Sequence, residues 1–413
     1  MLPDELERIL LTTPELAHSY LVGGGVRDWL LGQPTKDYDV EVFGLDYERL
    51  VRALSRWGQP DLVGRSFGVV KLTTASGAAY DFSLPRRDSK VGPGHRAFDV
   101  VVEPGLTPRE AAARRDLTIN ALMYDPRRRE VLDFFDGRGD LSRRLLRHTS
   151  PAFVEDPLRV LRGLQFAGRF NLTATAETIA LCRQIKRSHA ELAVERRREE
   201  WFKWAVKSVA PSAGLRYLAA TEWVEHYPEI QALMGTPQDP DLHPEGDVFV
   251  HTCLCCDALA EMPEFQAGDA EAKVVYMLAV LAHDFAKPQT TQRALKDGRL
   301  RIVSPGHDRA GVGLAEQFLA RIDAPAAIRL RVLPLVAYHL AHFQDLTDRS
   351  VRRLARNLAP ETIEGLCLVI TADAFGRPPK PREMPEAVVQ LRAKAAQLRV
   401  QASPPKPLLL GRP

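Results

Sequence analysis

The chain is 413 residues long, 45% hydrophobic, 26% charged and only 7% aromatic, which excludes a membrane-embedded or disordered protein and calls for several modules at roughly 100–200 residues each. Its formal net charge is +3, but residues 101–210 hold 21 Lys and Arg against 15 Asp and Glu, so basic charge gathers in one region, as on a surface that meets a polyanion. The opening MLPDELERILLTTPEL has no signal-peptide core and no apolar run approaches a membrane span, so a cytoplasmic protein with no membrane partner is expected.

In chain order, SYLV reads as a short strand, VRDWLLG as a helix turn, DYDVEVFG as an alternating strand, YERLVRALSRWG as a helix, and GVVKLTT and AAYDFSLP as two further strands. The glycines of LVGGGVRDWLLG leave bare backbone N–H groups at a strand-to-helix turn, where a triphosphate can approach without meeting a Cβ. In DYDVEVF, Asp37, Asp39 and Glu41 face one way and Tyr38, Val40 and Val42 the other, as in a strand with one buried side. A DxD pair alone is more often a solvated strand face. Asp81, on another predicted strand, adds a third carboxylate, and two-metal phosphoryl transfer needs such oxygen ligands from adjacent strands.

The segment RRDSKVGPGHRAFDVVVEP, with its Gly-Pro-Gly and basic residues, reads as a mobile loop. Next, Arg114, Arg115 and Asp116 open what reads as an apolar helical run containing Asn120; such a cluster suits phosphate oxygens and sugar hydroxyls, or is a helix cap with charged neighbours. Beyond Pro151 strand signals almost vanish, and helical spacing continues to about residue 400. Asp156 before Pro157 is typical of an N-cap with proline in the first helical position. Arg159 and Arg162 share a face of that helix, and an acidic acceptor beside a guanidinium donor makes an edge on which a nucleobase can be read.

Five cysteines occur, Cys182, Cys253, Cys255, Cys256 and Cys367. Their odd number argues against a disulfide framework or a disulfide-linked partner, and the crowded trio reads as small buried residues on a helix. Farther on, HPEGDVFVHT, LAHDFAKP, GHDRAGV, AYHLAHF and TADAFGR form an ordered histidine and aspartate series. A lone helical histidine is usually a satisfied core residue, but an adjacent His-Asp with a spaced third His suits a metal site that activates water. The tail SPPKPLLLGRP is expected to be loosely docked.

At residues 18–205 the sequence resembles the class II tRNA nucleotidyltransferases, the bacterial CCA-adding enzymes of the polymerase β-like superfamily, through LVGGGVRD, KDYDVEV, RRDLTINAL, DGRGDL, VEDPLRVLR and VERRREE in that order. The resemblance implies an α+β protein with a small mixed sheet in an N-terminal nucleotidyltransferase head, followed by an all-α neck and body. The corresponding boundaries are head 1–145, neck 146–210, body 211–350 and tail 351–413. It implies that Gly24 and Arg27 contact the triphosphate, that Asp37 and Asp39 bind Mg²⁺ with Asp81 as a further catalytic carboxylate, and that Arg115 and Asp116 hold ribose and phosphates. Asp156 and Arg159 would template cytosine or adenine with support from Arg162, and Glu195 and Arg196 would buttress them. The partners implied are tRNA, CTP and ATP. Gln165 stands where family members often have Arg, and the long segment after Asp81 disfavours a CC-only enzyme.

His251, His283, Asp284 and Asp373 resemble the H…HD…D pattern of HD-domain metal phosphohydrolases, which are fused to some CCA-adding heads and there carry phosphatase and 2′,3′-cyclic phosphodiesterase activities. A second divalent metal of unknown identity is expected at this site, with His307, His339 and His342 as further ligands or substrate contacts. A poly(A) polymerase shares the head motifs but usually carries a strongly basic C-terminal extension and lacks an HD domain. A partial A-adding or CC-adding enzyme is a further alternative, and a reading of another class makes the protein an HD phosphohydrolase whose head only grips RNA.

Overall fold

The computed structural model describes residues 2–35, 38–62, 64–90, 98–296 and 298–402. The chain forms two compact units, one made of Met1–Arg159 and Thr173–Leu192, the other of Val160–Leu172 and Ala193–Pro413.

The first unit is built on a mixed sheet. Its strands are β1 (Ser19–Val22), β2 (Asp39–Val42), β3 (Gly58–Asp61), β4 (Val69–Thr74), β5 (Ala79–Ser83), β8 (Met123–Asp125) and β9 (Glu130–Leu132), in the order β3-β4-β5-β2-β1-β8-β9. Around them lie α1 (Asp4–Thr12), α2 (Gly24–Leu30), α3 (Tyr47–Leu54), α4 (Pro108–Ala113) and α5 (Gly137–Ser142). One core joins Leu6, Ile9 and Leu10 of α1 to Val40, Val42, Leu50, Val70 and Phe82, and a smaller cluster gathers Val22, Ala111, Ala112 and Met123. Strand β4 shows the alternation of a half-covered strand, with Val70, Leu72 and Thr74 buried.

Strand β2 differs from the one-sided strand expected. It lies in the sheet interior between antiparallel β1 and parallel β5, and Val40, Glu41 and Val42 are all buried. A second difference concerns Arg114-Arg115-Asp116, expected at a helix start. The helix begins earlier, at a capping box of Thr107 and Glu110 with Pro108 in the first turn, and ends at Ala113. The arginine cluster thus follows a helix end, and only a single 3-10 turn, Thr118–Asn120, precedes β8. The segment read as a mobile loop supplies an antiparallel ribbon, β6 (Arg86–Lys90) with β7 (Phe98–Val102); residues 91–97, including its Gly-Pro-Gly, lie outside the described residues.

The second unit is helical. Its centre is Ala270–Ala282, a helix apolar nearly all round, as a core helix must be; it packs against Val248–Glu261, Ala326–Tyr338 and Ile363–Phe375. Trp201 is fully buried, edge-on to Trp204, Tyr227 and Phe318 at centroid distances of 5.4, 4.9 and 5.4 Å. The α+β class with a helical body is as expected, with one addition: Gln292–Lys296 and Arg299–Val303 pair as an exposed hairpin that the sequence reading does not anticipate. The three crowded cysteines are buried on Val248–Glu261 as expected, and all five cysteines are free. Among the described residues no helix is long and apolar enough to cross a membrane. The tail 403–413 lies outside the described residues.

Candidate active sites

The sheet of the first unit brings its chemistry to one end. Leu21 pairs with Val40, so the turn after β1 lies beside the start of β2, and Asp39 is the direct register partner of Asp81 on β5. Two carboxylates on adjacent strands, Asp39 exposed and Asp81 half-buried, offer the hard oxygen donors that a divalent cation takes. Asp37 lies outside the described residues.

At the turn, Gly23 has φ 73°, a conformation that strains any residue with a Cβ, and a Cβ there would lie 3.0 Å from Arg115 Nη1. Gly24 opens α2, whose first turn leaves backbone N–H groups without intrahelical partners. The Arg115 guanidinium therefore sits against the turn where an anion would be cradled.

Buried links hold these parts in place. Glu41, fully buried, pairs with Arg114 Nη2 at 2.7 Å and Arg115 Nη2 at 3.5 Å, tying both arginines to the strand that carries Asp39. Arg27 is buried too: it donates to Asp28 Oδ1 from Nε and Nη2 at 2.9 and 2.7 Å and to Asn120 Oδ1 from Nη1. Asn120 Nδ2 donates to Asp116 Oδ1 at 3.0 Å, and that oxygen also accepts from the Leu117 backbone N–H at 2.8 Å. The DGRGDL stretch contributes Asp140, fully buried, which accepts from Thr118 Oγ1 at 2.8 Å and faces Arg147 Nε at 3.1 Å.

Asp156 receives the Leu158 N–H at 3.0 Å, as its capping sequence implies. It opens α6 (Leu158–Phe170). Arg159 donates from Nη1 to Ala152 O and from Nη2 to Arg114 O, both at 2.8 Å. Its guanidinium plane is thereby fixed while each terminal nitrogen keeps a second N–H. Arg162 belongs to the second unit, its guanidinium 5.2 Å from the Phe166 ring centre, and Gln165 is buried there. Glu195 and Arg196 start the helix Val194–Lys207, with Glu195 exposed.

In the second unit, His251, His283, Asp284 and Asp373 converge, although 122 positions separate the first from the last. His251 Nε2 lies 3.1 Å from Asp373 Oδ1 and 3.7 Å from Asp284 Oδ2, and His283 Nε2 lies 3.1 Å from Asp284 Oδ2. His307 and His339 join them; His307 Nε2 is 3.2 Å from Asp284 Oδ1 and 3.2 Å from His339 Nε2. His342 is buried nearby but belongs to none of the metal-ligating groups among the described residues.

The hydrogen bonds of these rings test whether the donor set fits a cation. His283, His307 and His339 donate Nδ1–H to the carbonyls of Val280, Ser304 and Val336 at 2.7, 2.6 and 2.8 Å. Each Nε2 is thus the atom turned inward, where a ring in its neutral form presents a lone pair. Two such nitrogens facing at 3.2 Å need a proton or a cation between them. Burial pushes the pKa of His339 down to about 3, so that ring does not supply the proton. Burial works to raise Asp284 and Asp373, but His283 and Lys287 hold the first well below the usual carboxylate range, and Arg377 and His251 do so for the second. Among the described residues, neither His283 Nε2 nor Asp284 Oδ2 makes a well-aligned hydrogen bond, although they lie 3.1 Å apart and Lys287 Nζ is near. Inward lone pairs and ionised carboxylates together fit a divalent cation.

A cavity of about 240 Å³ opens on this cluster, lined among others by His243, Lys287, His307, His339, Phe343 and Arg377. Lys287 Nζ lies 2.7 Å from Asp284 Oδ2 and Arg377 Nη2 2.5 Å from Asp373 Oδ1. Neither cation was singled out from the sequence, although each stands one helical turn after its aspartate, at spacings of three and four. Glu41 was placed on the carboxylate face but not in the site, and Asn120 was noted without a partner.

A family model described as the poly A polymerase head domain matches residues 19–147. The chain is 34% identical to the multifunctional CCA protein of Nitrosococcus oceani, over 87% of this chain and 84% of that protein. It is also 34% identical to the multifunctional CCA protein of Methylococcus capsulatus, over 94% and 88%. With the same protein of Xanthomonas campestris pv. campestris it shares 37% identity over 87% and 85%. Its fold is similar to that of the Thermotoga maritima CCA-adding enzyme complexed with tRNA, at TM-score 0.60 and 18% identity, covering 96% of this chain and 82% of that one. The Bacillus stearothermophilus CCA-adding enzyme in complex with CTP gives TM-score 0.61 at 18% identity, covering 96% and 83%.

Proposed function

The chain belongs to the family of multifunctional CCA proteins, and on that premise we propose that it adds C, C and A to tRNA 3′ ends from CTP and ATP, releasing pyrophosphate. The observation that carries this reading is the register pairing of Asp39 with Asp81 beside a glycine turn covered by Arg115.

Asp39 and Asp81, with Asp37, would hold Mg²⁺, which when bound neutralises triphosphate charge and acidifies the attacking 3′-hydroxyl. The bare N–H groups after Gly23 and the Arg115 fork take phosphate oxygens. Arg27 acts from beneath: with both edges of its guanidinium committed to Asp28 and Asn120, it stiffens the turn and links it to Asp116. Asp156 and Arg159 read the base edge, Arg159 from a guanidinium already clamped by two carbonyls, which lowers the cost of ordering it. Five buried free cysteines accord with a reducing cytoplasm.

The test uses tRNA truncated before CCA, with Mg²⁺ and CTP alone, ATP alone or both, and sequences the 3′ ends. CC from CTP alone and CCA from both are expected. Long A tracts would indicate a poly(A) polymerase, a single A or CC alone when both nucleotides are present a partial enzyme, and unextended tRNA would overturn the transferase reading.

The second unit supports a second activity, hydrolysis of phosphoesters such as 2′,3′-cyclic phosphates. His251, His283, Asp284 and Asp373, joined by His307 and His339, would hold a divalent cation whose bound water is activated for attack. Lys287 and Arg377 place positive charge in the adjoining cavity, where a phosphate would lie. His283→Ala should abolish metal-dependent hydrolysis of 2′,3′-cyclic AMP and leave nucleotide addition intact, while Asp37→Ala should do the converse. Loss of both activities in either variant would refute separate sites.

A further inference from the structure

The four imidazoles that converge in the second unit are not held alike. His283 and His339 follow the last residues of their helices, and His307 begins one; each donates Nδ1–H to the carbonyl three residues earlier. His251 lies within the helix Val248–Glu261, where preceding carbonyls are committed to the helical ladder. Its Nδ1 needs an acceptor from outside that helix. It finds Glu245 Oε1 at 2.7 Å, and the same oxygen lies 2.9 Å from His243 Nδ1.

The Glu245 side chain is 1% exposed, and among the described residues its other oxygen, Oε2, is buried without a hydrogen-bond partner. Burying a carboxylate this way is costly unless the bonds it accepts repay the desolvation. Both ring nitrogens that approach Oε1 are Nδ1 atoms at hydrogen-bond distance, the arrangement of a carboxylate oxygen that accepts twice. An oxygen held this way accepts, so the ring nitrogen facing it carries the hydrogen.

We propose that Glu245 is the positioning residue that sets the tautomer of His251 and aims its Nε2 lone pair at the space it shares with Asp284 and Asp373. This rests on the metal-site reading of the second unit. In this reading Glu245 is not itself a ligand but acts through His251, and His243, bonded to the same oxygen, keeps it from turning away. Removing such a partner from a metal-bound histidine typically weakens binding by 10–100-fold.

The test is a calorimetric Co²⁺ titration of the full chain carrying Asp39→Asn, which silences the carboxylate site of the first unit, with circular dichroism as the check on folding. In that background Glu245→Met removes the acceptor at similar volume, while Glu245→Gln keeps an oxygen that can accept from Nδ1–H. Affinity should fall about 10–100-fold in Glu245→Met and return most of the way in Glu245→Gln. Unchanged affinity in Glu245→Met, or an equal loss in both variants, would overturn the positioning role while leaving the metal site standing. Absence of Co²⁺ binding by the Asp39→Asn chain with Glu245 intact would instead overturn the metal-site reading and the proposal with it.

Discussion

Glu41→Gln probes the link between the sheet and the arginines above it. The carboxylate is 0% exposed, whereas Arg114 and Arg115 are 20% and 22% exposed. Removing one partner of a fully buried ion pair costs about 3–5 kcal/mol, and an exposed pair is worth about 0–1 kcal/mol. Here one end is sealed and the other reaches water, and glutamine keeps the volume and one accepting oxygen. We therefore expect a loss of about 2 kcal/mol, midway between those limits. For a unit of this size that lowers the first thermal transition by roughly 4–8 °C.

The functional consequence is separable. Arg115, no longer drawn toward β2, leaves its place against Gly23, and KM for CTP and ATP should rise about tenfold, equivalent to about 1.4 kcal/mol. Differential scanning calorimetry and single-nucleotide addition kinetics read the two effects. A transition within 1 °C of the unmodified protein together with unchanged KM would refute the claim that this ion pair places Arg115.

Gly23→Ala puts a side chain at φ 73°, where strain costs about 1–3 kcal/mol, and presses on Arg115; nucleotide affinity measured by equilibrium binding should drop with little change in tRNA affinity. Gly376→Ala places a Cβ 2.4 Å from Cys255 Sγ and 2.8 Å from its backbone nitrogen. Overpacking of about 1–3 kcal/mol is expected in urea denaturation of the second unit, with weaker metal binding because Cys255 lies against His251. Acid should also destabilise that unit. Burial pushes His243 down to about 4 and His339 to about 3, below the value near 6.5 of an unfolded histidine. The unfolded chain therefore binds more protons, and stability present above pH 6.5 is lost as pH falls toward 4. Each ring accounts for about 2 kcal/mol at pH 5. His283, where burial is outweighed by Asp284, works the other way and reduces the sum. A urea midpoint that stays level between pH 7 and pH 5 would contradict this account.

What sequence alone determined is whatever local rules encode. Alternation in SYLV, DYDVEVF and AAYDFSLP located three of the strands that carry the site, and the glycines before VRDWLL marked the turn. The capping pattern at Asp156-Pro157 was legible, and the resemblance to the H…HD…D pattern, more than any local rule, singled out His251, His283, Asp284 and Asp373, four residues that do meet. The helix expected after Arg114 failed because the stronger capping box at Thr107 and Glu110 started a helix nearly two turns earlier, and it ends at Ala113. Period-two alternation put Glu41 on the side of Asp39, but only the strands on either side of β2 made that position fully buried. Likewise nothing near Glu245 in the chain says that it will receive His251 Nδ1, or that His307 and His339 will face each other. Those outcomes depend on which helices pack together and on what burial leaves each polar atom to bond. That desolvation exists only once the tertiary structure closes.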